Sequence, residues 1–249
     1  MTPRVVFADA AVVVVDKPSG MPSVPARTPL DPPDVATRLA AAFGPLEAVH
    51  RLDRDTSGLL VLARTRAARS ALGSAFERRD VAKRYLAVVL GTPPAAGGEV
   101  ALPLAADRDR PPRQRVDHVA GKSANTRWRL LATCPDTPDA DGDAASRVSL
   151  LVVEPRTGRS HQIRVHLASL GCPVAGDRLY GGEAKAVPLA LHAAGLDLPH
   201  PTTGGRLVLT SPPPPAPPWD RFAAAITAAL AAWPSGSPSA NSGRIDPGP

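Results

Sequence analysis

Aromatic residues make up only 4% of the 249-residue chain, so its core must be built mainly from valine, leucine and alanine. The only two cysteines, Cys134 and Cys172, are far apart and lack the spacing of metal ligands, which indicates reduced thiols. Long apolar runs are also missing. The first apolar run ends at Asp16 and Lys17, too early for a signal peptide or a membrane span. These absences favour a cytoplasmic protein without a disulfide framework.

Proline and positive charge are abundant by contrast. Much of the proline, 30 residues in all, is concentrated at 92–94, 110–113, 211–218 and in the last sixteen residues, which marks loops and linkers. Lysine and arginine exceed aspartate and glutamate by 29 − 23 = 6. The excess is local: residues 51–84 contain nine basic and four acidic residues, and residues 108–129 contain seven and two. Such clusters favour a polyanionic partner such as nucleic acid.

The pattern of apolar residues and turn signals predicts more strands than helices. Two strands flank a turn at Ala8–Ala10, and further strands are predicted in "GLLVLA", "KRYLAVVLG", "EVALPL", "NTRWRLLAT", "RVSLLVVEP", "LALHAAGLDL" and "GRLVLTS". Four helices are predicted. Their signals are caps at Asp34, Thr65 and Ser160, stops at Gly44 and Gly171, and an apolar face of Phe222, Ile226, Leu230 and Trp233.

Because no regular βαβ alternation appears, we expect an α+β fold with a mostly antiparallel mixed sheet flanked by helices. The expected organisation is a single catalytic domain over residues 1–211. A proline-rich connection and a C-terminal helix packing on that domain occupy 212–233, and a disordered tail occupies 234–249. The segment "CPDTPDADGDAAS" between two strands is expected to be an exposed excursion.

Four segments combine polar side chains with apolar neighbours that would anchor them. The first is "HRLDRDTSG", His50 to Gly58, in which Asp53 and Asp55 would share one face of an extended backbone. Its Thr56 and Ser57 hydroxyls are suited to bond local backbone. The other three segments are "KRYLAVVLG" with Tyr85, "EPRTGRSHQIRVHL" with three arginines and two histidines, and the glycine-rich "PVAGDRLYGG" with Asp177 and Tyr180.

Together these segments resemble the RluA-type family of pseudouridine synthases. The family's hallmark stands unbroken as His50–Arg51–Leu52–Asp53 followed by Thr56–Ser57–Gly58. "VVVVDKPSG", "KRYLAVVLG", "GKSANTRW", "TGRSHQIRVHLASLGCPVAGDRLYG" and "LALHAAGLDLPHP" resemble its other motifs, in the same order, from about Val5 to Ser211. Ser160 stands where threonine is usual and Asp16 where asparagine is common.

The resemblance implies the pseudouridine synthase fold, no cofactor and no metal, and an enzyme that isomerises uridine in structured ribosomal or transfer RNA. It implies that Asp53 is the catalytic aspartate, that Arg164 holds it charged, and that Tyr85 contacts the target base. A buried carboxylate stays ionised when a guanidinium lies within a few ångströms, so we expect Arg164 within about 6 Å of Asp53. The residues expected to support the site are His50, Thr56, Ser57, Gly58, Ser160, His161 and Gln162.

A uridine inside folded RNA must leave its stack to reach such a carboxylate, and phosphate contacts would offset the cost of unstacking. Charge alone assigns those contacts to a flexible basic loop. The candidates are Arg108, Arg110, Arg113 and Arg115, with Arg51, Arg54 and Lys122 behind them. We expect a monomer, and we expect no small RNA-binding domain before Val5 that would narrow the choice of RNA.

Other interpretations of these residues remain open at this point. Asp53 could be an ordinary turn aspartate, Arg164 a helix-surface arginine and Tyr85 a half-buried strand tyrosine. A metal site at His50, His161 and His166 is disfavoured, since 161 and 166 diverge on a helix and no carboxylate or cysteine cluster completes it. Two rival functions are a catalytically idle RNA-binding module and a magnesium-dependent aspartate phosphatase. The sequence "LDRDTSG" resembles the motif of such phosphatases only superficially.

Overall fold

The structure, a computed structural model, describes residues 2–25, 32–135, 147–182 and 187–233. Two predictions, the exposed excursion that follows Pro135 and the disordered tail at 234–249, lie outside these residues. The strands are β1 (Arg4–Ala8), β2 (Val12–Lys17), β3 (Glu47–Ala48), β4 (Ser57–Ala63), β5 (Ala82–Leu90), β6 (Gly97–Val100), β7 (Leu104–Ala106), β8 (Gln114–Val116), β9 (Thr126–Pro135), β10 (Arg147–Pro155), β11 (Leu191–Pro199) and β12 (Arg206–Thr210). The helices are α1 (Val35–Phe43), α2 (Arg66–Glu77), α3 (Gln162–Ser169) and α4 (Ala223–Ala231), with a 3-10 turn at Trp219–Phe222.

These elements confirm the predicted α+β class with a mostly antiparallel mixed sheet and flanking helices. They fall into two compact units. The first contains the described residues among 1–83, 192–213 and 232–235, and the second those among 84–191 and 214–231. Each unit is therefore assembled from segments that are distant in sequence.

The first unit is built on the sheet order β1-β2-β4-β11, with β3 also paired to β4 and β12 to β11. All these pairs are antiparallel except β4 with β11. Every residue of β4 is buried, because α2 covers one face of the strand with Ala68, Leu72 and Ala75. The core around them contains valine, leucine and alanine, as the scarcity of aromatic residues predicts.

The second unit contains the antiparallel order β5-β10-β9-β6 and a separate two-stranded sheet, β7 with β8. The helix α4 belongs to this unit and is attached by the buried Arg84, whose Nη1 donates to the carbonyl of Ala229 at 3.2 Å. Phe222 and Ile226 are buried as predicted, and Ala229 completes the buried face. Leu230, predicted to lie on that face, is only half-buried.

Two of the predicted helix caps are confirmed and one is wrong. Asp34 accepts the amide hydrogen of Thr37 at 2.8 Å, and Thr65 accepts that of Ala68 at 3.1 Å. The N-cap of α3 is His161 in place of Ser160, which lies exposed one residue before the cap. The predicted stops at Gly44 and Gly171 both have positive φ, at 72° and 74°.

Among the described residues, no helix is long and apolar enough to cross a membrane.

Candidate active site

Asp53 lies on a turn that is fixed on both sides by hydrogen bonds. Before it, Leu52 is buried and exchanges two hydrogen bonds with the hydroxyl of Ser23, at 2.9 and 3.1 Å. After it, the amide of Thr56 donates to the carbonyl of Asp53 at 3.2 Å, and β4 begins at Ser57. The half-buried Asp53 is thus presented at the start of a fully buried strand.

The buried Lys17 holds this turn through hydrogen bonds to backbone carbonyls. The ammonium of Lys17 has no exposed surface and donates to the carbonyls of Pro18, Met21 and Arg54 at 2.8–3.1 Å. Burial lowers the pKa of Lys17 to about 8, and the nearby carboxylates of Asp55 and Asp53 oppose that shift. The ammonium therefore ties the backbone beside Asp53 to the "KPSG" turn, and it supplies positive charge next to the carboxylates.

This role of Lys17 was missed from the sequence, where "KPSG" is interpreted only as a structural turn. A lysine two positions after four valines, at the end of a buried strand, was the available signal, because a lysine there must find partners for its ammonium. The turn is also bonded through Ser19, whose hydroxyl donates to the carbonyl of Asp55 at 2.8 Å.

His50 is a half-buried, neutral support of the same strand. Its Nε2 accepts the amide hydrogen of Val61 at 3.0 Å, so the ring proton belongs on Nδ1. The ring stacks on Phe76 with centroids 4.7 Å apart. Burial, with a smaller effect of the Lys83 charge, lowers the pKa of His50 to about 3. The imidazole is thus placed to support β4.

The hydroxyl of Ser57 bonds a distant side chain instead of local backbone. It lies 2.9 Å from Nδ1 of His192, whose Nε2 lies 3.1 Å from the carbonyl of Ser211. A carbonyl only accepts, so Nε2 carries the proton and Ser57 donates to Nδ1. Burial lowers the pKa of His192 to about 4. The sequence motif around His192 was quoted, but its pairing with Ser57 was not foreseen.

Gly58 is required by the parallel pairing of β4 and β11. Its φ is 107°, and a Cβ at this position would overlap the backbone of Ala193. Only glycine combines this conformation with so close an approach. The glycine of the "TSG" sequence thus lets β11 approach β4 beside the Asp53 turn.

In the second unit, Arg164 forms a buried pair with Asp177. Its Nε and Nη2 donate to the two carboxylate oxygens of Asp177, both at 2.7 Å, and both side chains are almost fully buried. This bidentate geometry is the strongest that an arginine forms with a carboxylate. From the sequence, Arg164 was predicted to lie close to Asp53, and that contact stays a prediction. Asp177 was seen only as a turn residue.

Tyr180 packs on the same guanidinium. The Cζ of Arg164 lies 5.2 Å from the ring centroid, and the Cζ of Arg113 lies 5.4 Å from it. The Tyr180 hydroxyl accepts the amide hydrogen of Gln114 and lies 2.7 Å from Nδ1 of His161. This tyrosine was not among the predicted site residues.

The start of α3 is held by a side chain other than the predicted one. Gln162 is buried; its Oε1 accepts from the amide of Arg159 at 3.0 Å, and its Nε2 donates to Thr126 at 2.9 Å. Gln162 therefore supports this segment. Ser160, which was predicted as the cap, is exposed and lies outside the helix.

The segment predicted as a flexible basic loop contains the β7–β8 hairpin. Arg110 pairs with the buried Asp107 at 3.1 Å, and Arg115 pairs with Asp117 at 3.2 Å. Most of the predicted phosphate-binding side chains are exposed, and Arg113 is half-buried. The exposed ones are Arg51, Arg54, Arg108, Arg110, Arg115 and Lys122.

Tyr85 and His166 are the last two residues considered from the sequence. Tyr85 is half-buried on β5, opposite Val153 of β10. His166 bonds Thr126 and the carbonyl of Leu102, and burial lowers its pKa. Within the part of the chain that the structure describes, no group of three or more histidine, cysteine or acidic side chains is placed to hold a metal ion.

Comparison with known proteins gives consistent results. Residues 11–169 match the model of the family described as RNA pseudouridylate synthase. The dual-specificity RNA pseudouridine synthase RluA of Escherichia coli strain CFT073 is 40% identical over 211 residues, covering 84% of this chain and 92% of that protein. The Yersinia pestis protein of the same name is 41% identical over 203 residues, covering 80% and 94%.

Solved structures agree with this match. The human RNA pseudouridylate synthase domain containing 1 protein superposes with a TM-score of 0.70 at 25% identity, covering 91% of this chain and 95% of that one. The human domain containing 4 protein gives a TM-score of 0.65, also at 25% identity, covering 92% and 93%.

Proposed function

This chain belongs to the RluA-type family of RNA pseudouridine synthases, and from that premise we propose that Asp53 is the carboxylate that converts a uridine of structured RNA into pseudouridine. The reaction breaks the glycosidic bond between the ribose and the uracil nitrogen, and it rejoins the same base through carbon. A carboxylate can act here as the nucleophile, or as a base and electrostatic stabiliser, without a redox step.

The observation that carries the assignment is the fixed turn around Asp53. Hydrogen bonds from Ser23, Lys17 and Thr56 hold the backbone on either side of Asp53, so the backbone that carries the carboxylate is fixed before substrate binds. A charge that is already in position needs little reorganisation during the reaction, and such preorganised electrostatics usually makes the largest contribution to the rate enhancement of an enzyme. Membership of the family also removes the aspartate phosphatase as an alternative.

We assign two further residues of the chemistry. Arg164 supplies positive charge for the Asp53 carboxylate, and its bond to Asp177 fixes the direction of its guanidinium. Tyr85 contacts the extruded base through its ring or its hydroxyl. The substrate is ribosomal or transfer RNA, the protein acts as a monomer, and the reaction takes place in the cytoplasm. No metal ion is assigned a part in this scheme.

Replacing Asp53 with asparagine tests this proposal directly. We expect pseudouridine formation to fall by about 10³-fold or more, in the upper range for loss of a group that transfers protons or forms a bond. The matched control is Asp55→Asn, which removes an exposed carboxylate from the same turn and should leave the enzyme active.

The measurement is the mapping of pseudouridines in total RNA from cells that carry the gene, lack it, or carry either variant. A site that disappears in the deletion strain identifies the substrate. If Asp53→Asn restores that site as fast as the natural protein does, Asp53 is not catalytic. If the deletion removes no site at all, the chain is an idle RNA-binding module.

The β7–β8 hairpin is proposed to bind RNA phosphates. Reversing the exposed charges of Arg108 and Arg110 to glutamate should weaken RNA binding and reduce the slope of log affinity against log salt by about two, because each phosphate contact contributes roughly one unit. The control is reversal of two exposed arginines elsewhere, Arg147 and Arg221, which changes the net charge equally. Equal effects of both double variants would mean that only net charge matters.

A further inference from the structure

Tyr180 contacts three parts of the second unit, including the arginine proposed for catalysis. Two hydrogen bonds to Asp177 fix the edge of the Arg164 guanidinium, at 2.7 Å each. The ring of Tyr180 lies on the same guanidinium, with its centroid 5.2 Å from Cζ. The carboxylate sets the direction of the guanidinium, and the ring restricts how it can tilt.

The hydroxyl of Tyr180 is held from two other elements. The amide of Gln114, at the start of β8, donates to it at 2.7 Å. Because an amide only donates, this bond uses an oxygen lone pair and leaves the phenolic O–H to pair with Nδ1 of His161, also at 2.7 Å. The position of the ring is thus determined by the hairpin and by the residue that precedes α3.

His161 has an unfavourable backbone conformation that this bond helps to hold. Its φ is 52°, in the left-handed region that a residue with a side chain adopts only at a cost. As N-cap of α3 it makes no side-chain capping bond. Its ring is directed to Tyr180 instead. Arg164 follows three residues later, so the angle at which the helix starts affects where its guanidinium lies.

The hairpin end of this contact carries proposed RNA-binding residues. Arg113, which precedes Gln114, has its Cζ 5.4 Å from the centroid of the same ring. One phenol therefore joins the basic hairpin, the start of α3 and the guanidinium of Arg164.

We propose that Tyr180 is a positioning residue of the reaction: it orients Arg164 and couples that orientation to the β7–β8 hairpin. This inference rests on the proposed function, since it requires that Arg164 acts on the catalytic carboxylate. The competing explanation is structural. Tyr180 also packs against a small cluster of Leu104, Ala124 and Val165, where it could simply fill space.

The test uses Tyr180→Phe, which keeps the ring and removes the hydroxyl. Full-length enzyme is held in excess over total RNA from cells that lack the gene, and pseudouridine at the mapped position is followed with time. The dependence of the rate constant on enzyme concentration separates the maximal rate from the concentration for half-saturation. The final amplitude reports the fraction of molecules that are folded and active.

We expect Tyr180→Phe to lower the maximal rate constant by about 3- to 10-fold, the range expected for one lost hydrogen bond, with half-saturation changed by less than about twofold. His161→Asn, which tolerates left-handed backbone, should have a similar effect. The double variant should be little slower than the slower single variant, because both changes remove the same hydrogen bond.

The matched control is Thr133→Val, which removes a 3.1 Å hydroxyl bond to Ser149 in the same unit. It should lower thermal stability without changing the maximal rate constant. If Tyr180→Phe behaves likewise, or if its effect adds fully to that of His161→Asn, the positioning role is refuted while the proposed function stands. An inactive natural protein would overturn both.

Discussion

Replacing His50 with glutamine should reduce the sensitivity of the folded protein to acid. His50 is half-buried, its Nε2 accepts a hydrogen bond from Val61, and desolvation lowers its pKa to about 3 from a normal value of 6.5. His192 is buried, with its pKa lowered to about 4. Both rings must be neutral in the native state, whereas both are readily protonated in the unfolded chain.

The sign of the effect follows from which state binds the proton. Below pH 6.5 the unfolded chain takes up protons that the folded protein refuses, so acid stabilises the unfolded state. The contribution of each histidine is fully present above pH 6.5 and is lost as the pH falls towards the folded-state pKa. At pH 5, which is 1.5 units below 6.5, each histidine has lost about 2 kcal/mol at roughly 1.4 kcal/mol per unit.

Together the two histidines should therefore reduce the free energy of unfolding by about 4 kcal/mol between pH 7.5 and pH 5, against a typical total of about 5–15 kcal/mol. His50→Gln should remove about half of that decline. At pH 7.5 the variant should itself be less stable by about 1–2 kcal/mol, because it loses the stacking on Phe76 and strains the bond to Val61.

The assay is urea unfolding followed by circular dichroism at several pH values between 5 and 7.5. The control is His118→Gln, since His118 is exposed. The quantity compared is the change in free energy with pH, because a uniform loss of stability in the variant cancels in that difference. If the free energy of unfolding of His50→Gln falls by the full amount between pH 7.5 and pH 5, then His50 is not one of the groups that stay unprotonated in the folded protein.

Three other substitutions test backbone requirements by urea unfolding. Gly58→Ala should cost more than about 3 kcal/mol, because its Cβ would overlap the backbone of Ala193 at a φ of 107°; a soluble, fully stable variant would contradict this. The matched change Gly73→Ala, in the interior of α2 where nothing lies within 4 Å, should instead add about 0.5–1 kcal/mol. Arg79, which follows α2, has a φ of 60°. Replacing Arg79 with glycine should raise the free energy of unfolding by up to about 1 kcal/mol. No increase would mean that the Arg79 side chain helps to hold this conformation.

Much of the fold could be predicted from local patterns. The caps at Asp34 and Thr65 and the buried strands were visible because they depend on neighbouring residues and on apolar periodicity. The prediction that Ser160 caps α3 was wrong for a physical reason. A serine at the start of a helix is a good N-cap only if its backbone is extended. In this protein the turn ends with His161 in the left-handed conformation.

Within the candidate site, the motif residues could be identified from the sequence, but the contacts among them could not. Lys17, Asp177, Tyr180 and His192 all lie in quoted motifs, yet their partners could not be assigned. The residues joined by these four bonds are 13, 37, 66 and 135 positions apart in the chain. No spacing rule relates such distant positions, because their approach depends on how the strands are paired.

The sequence by itself determined the family, the order of the elements and the identity of the candidate carboxylate, since these follow from residue types at fixed local spacing. Only the tertiary structure decided which buried polar groups pair: Lys17 with three carbonyls, Ser57 with His192, and Arg164 with Asp177. The reason is that a buried polar group must find a partner wherever the folded chain brings one within about 3 Å.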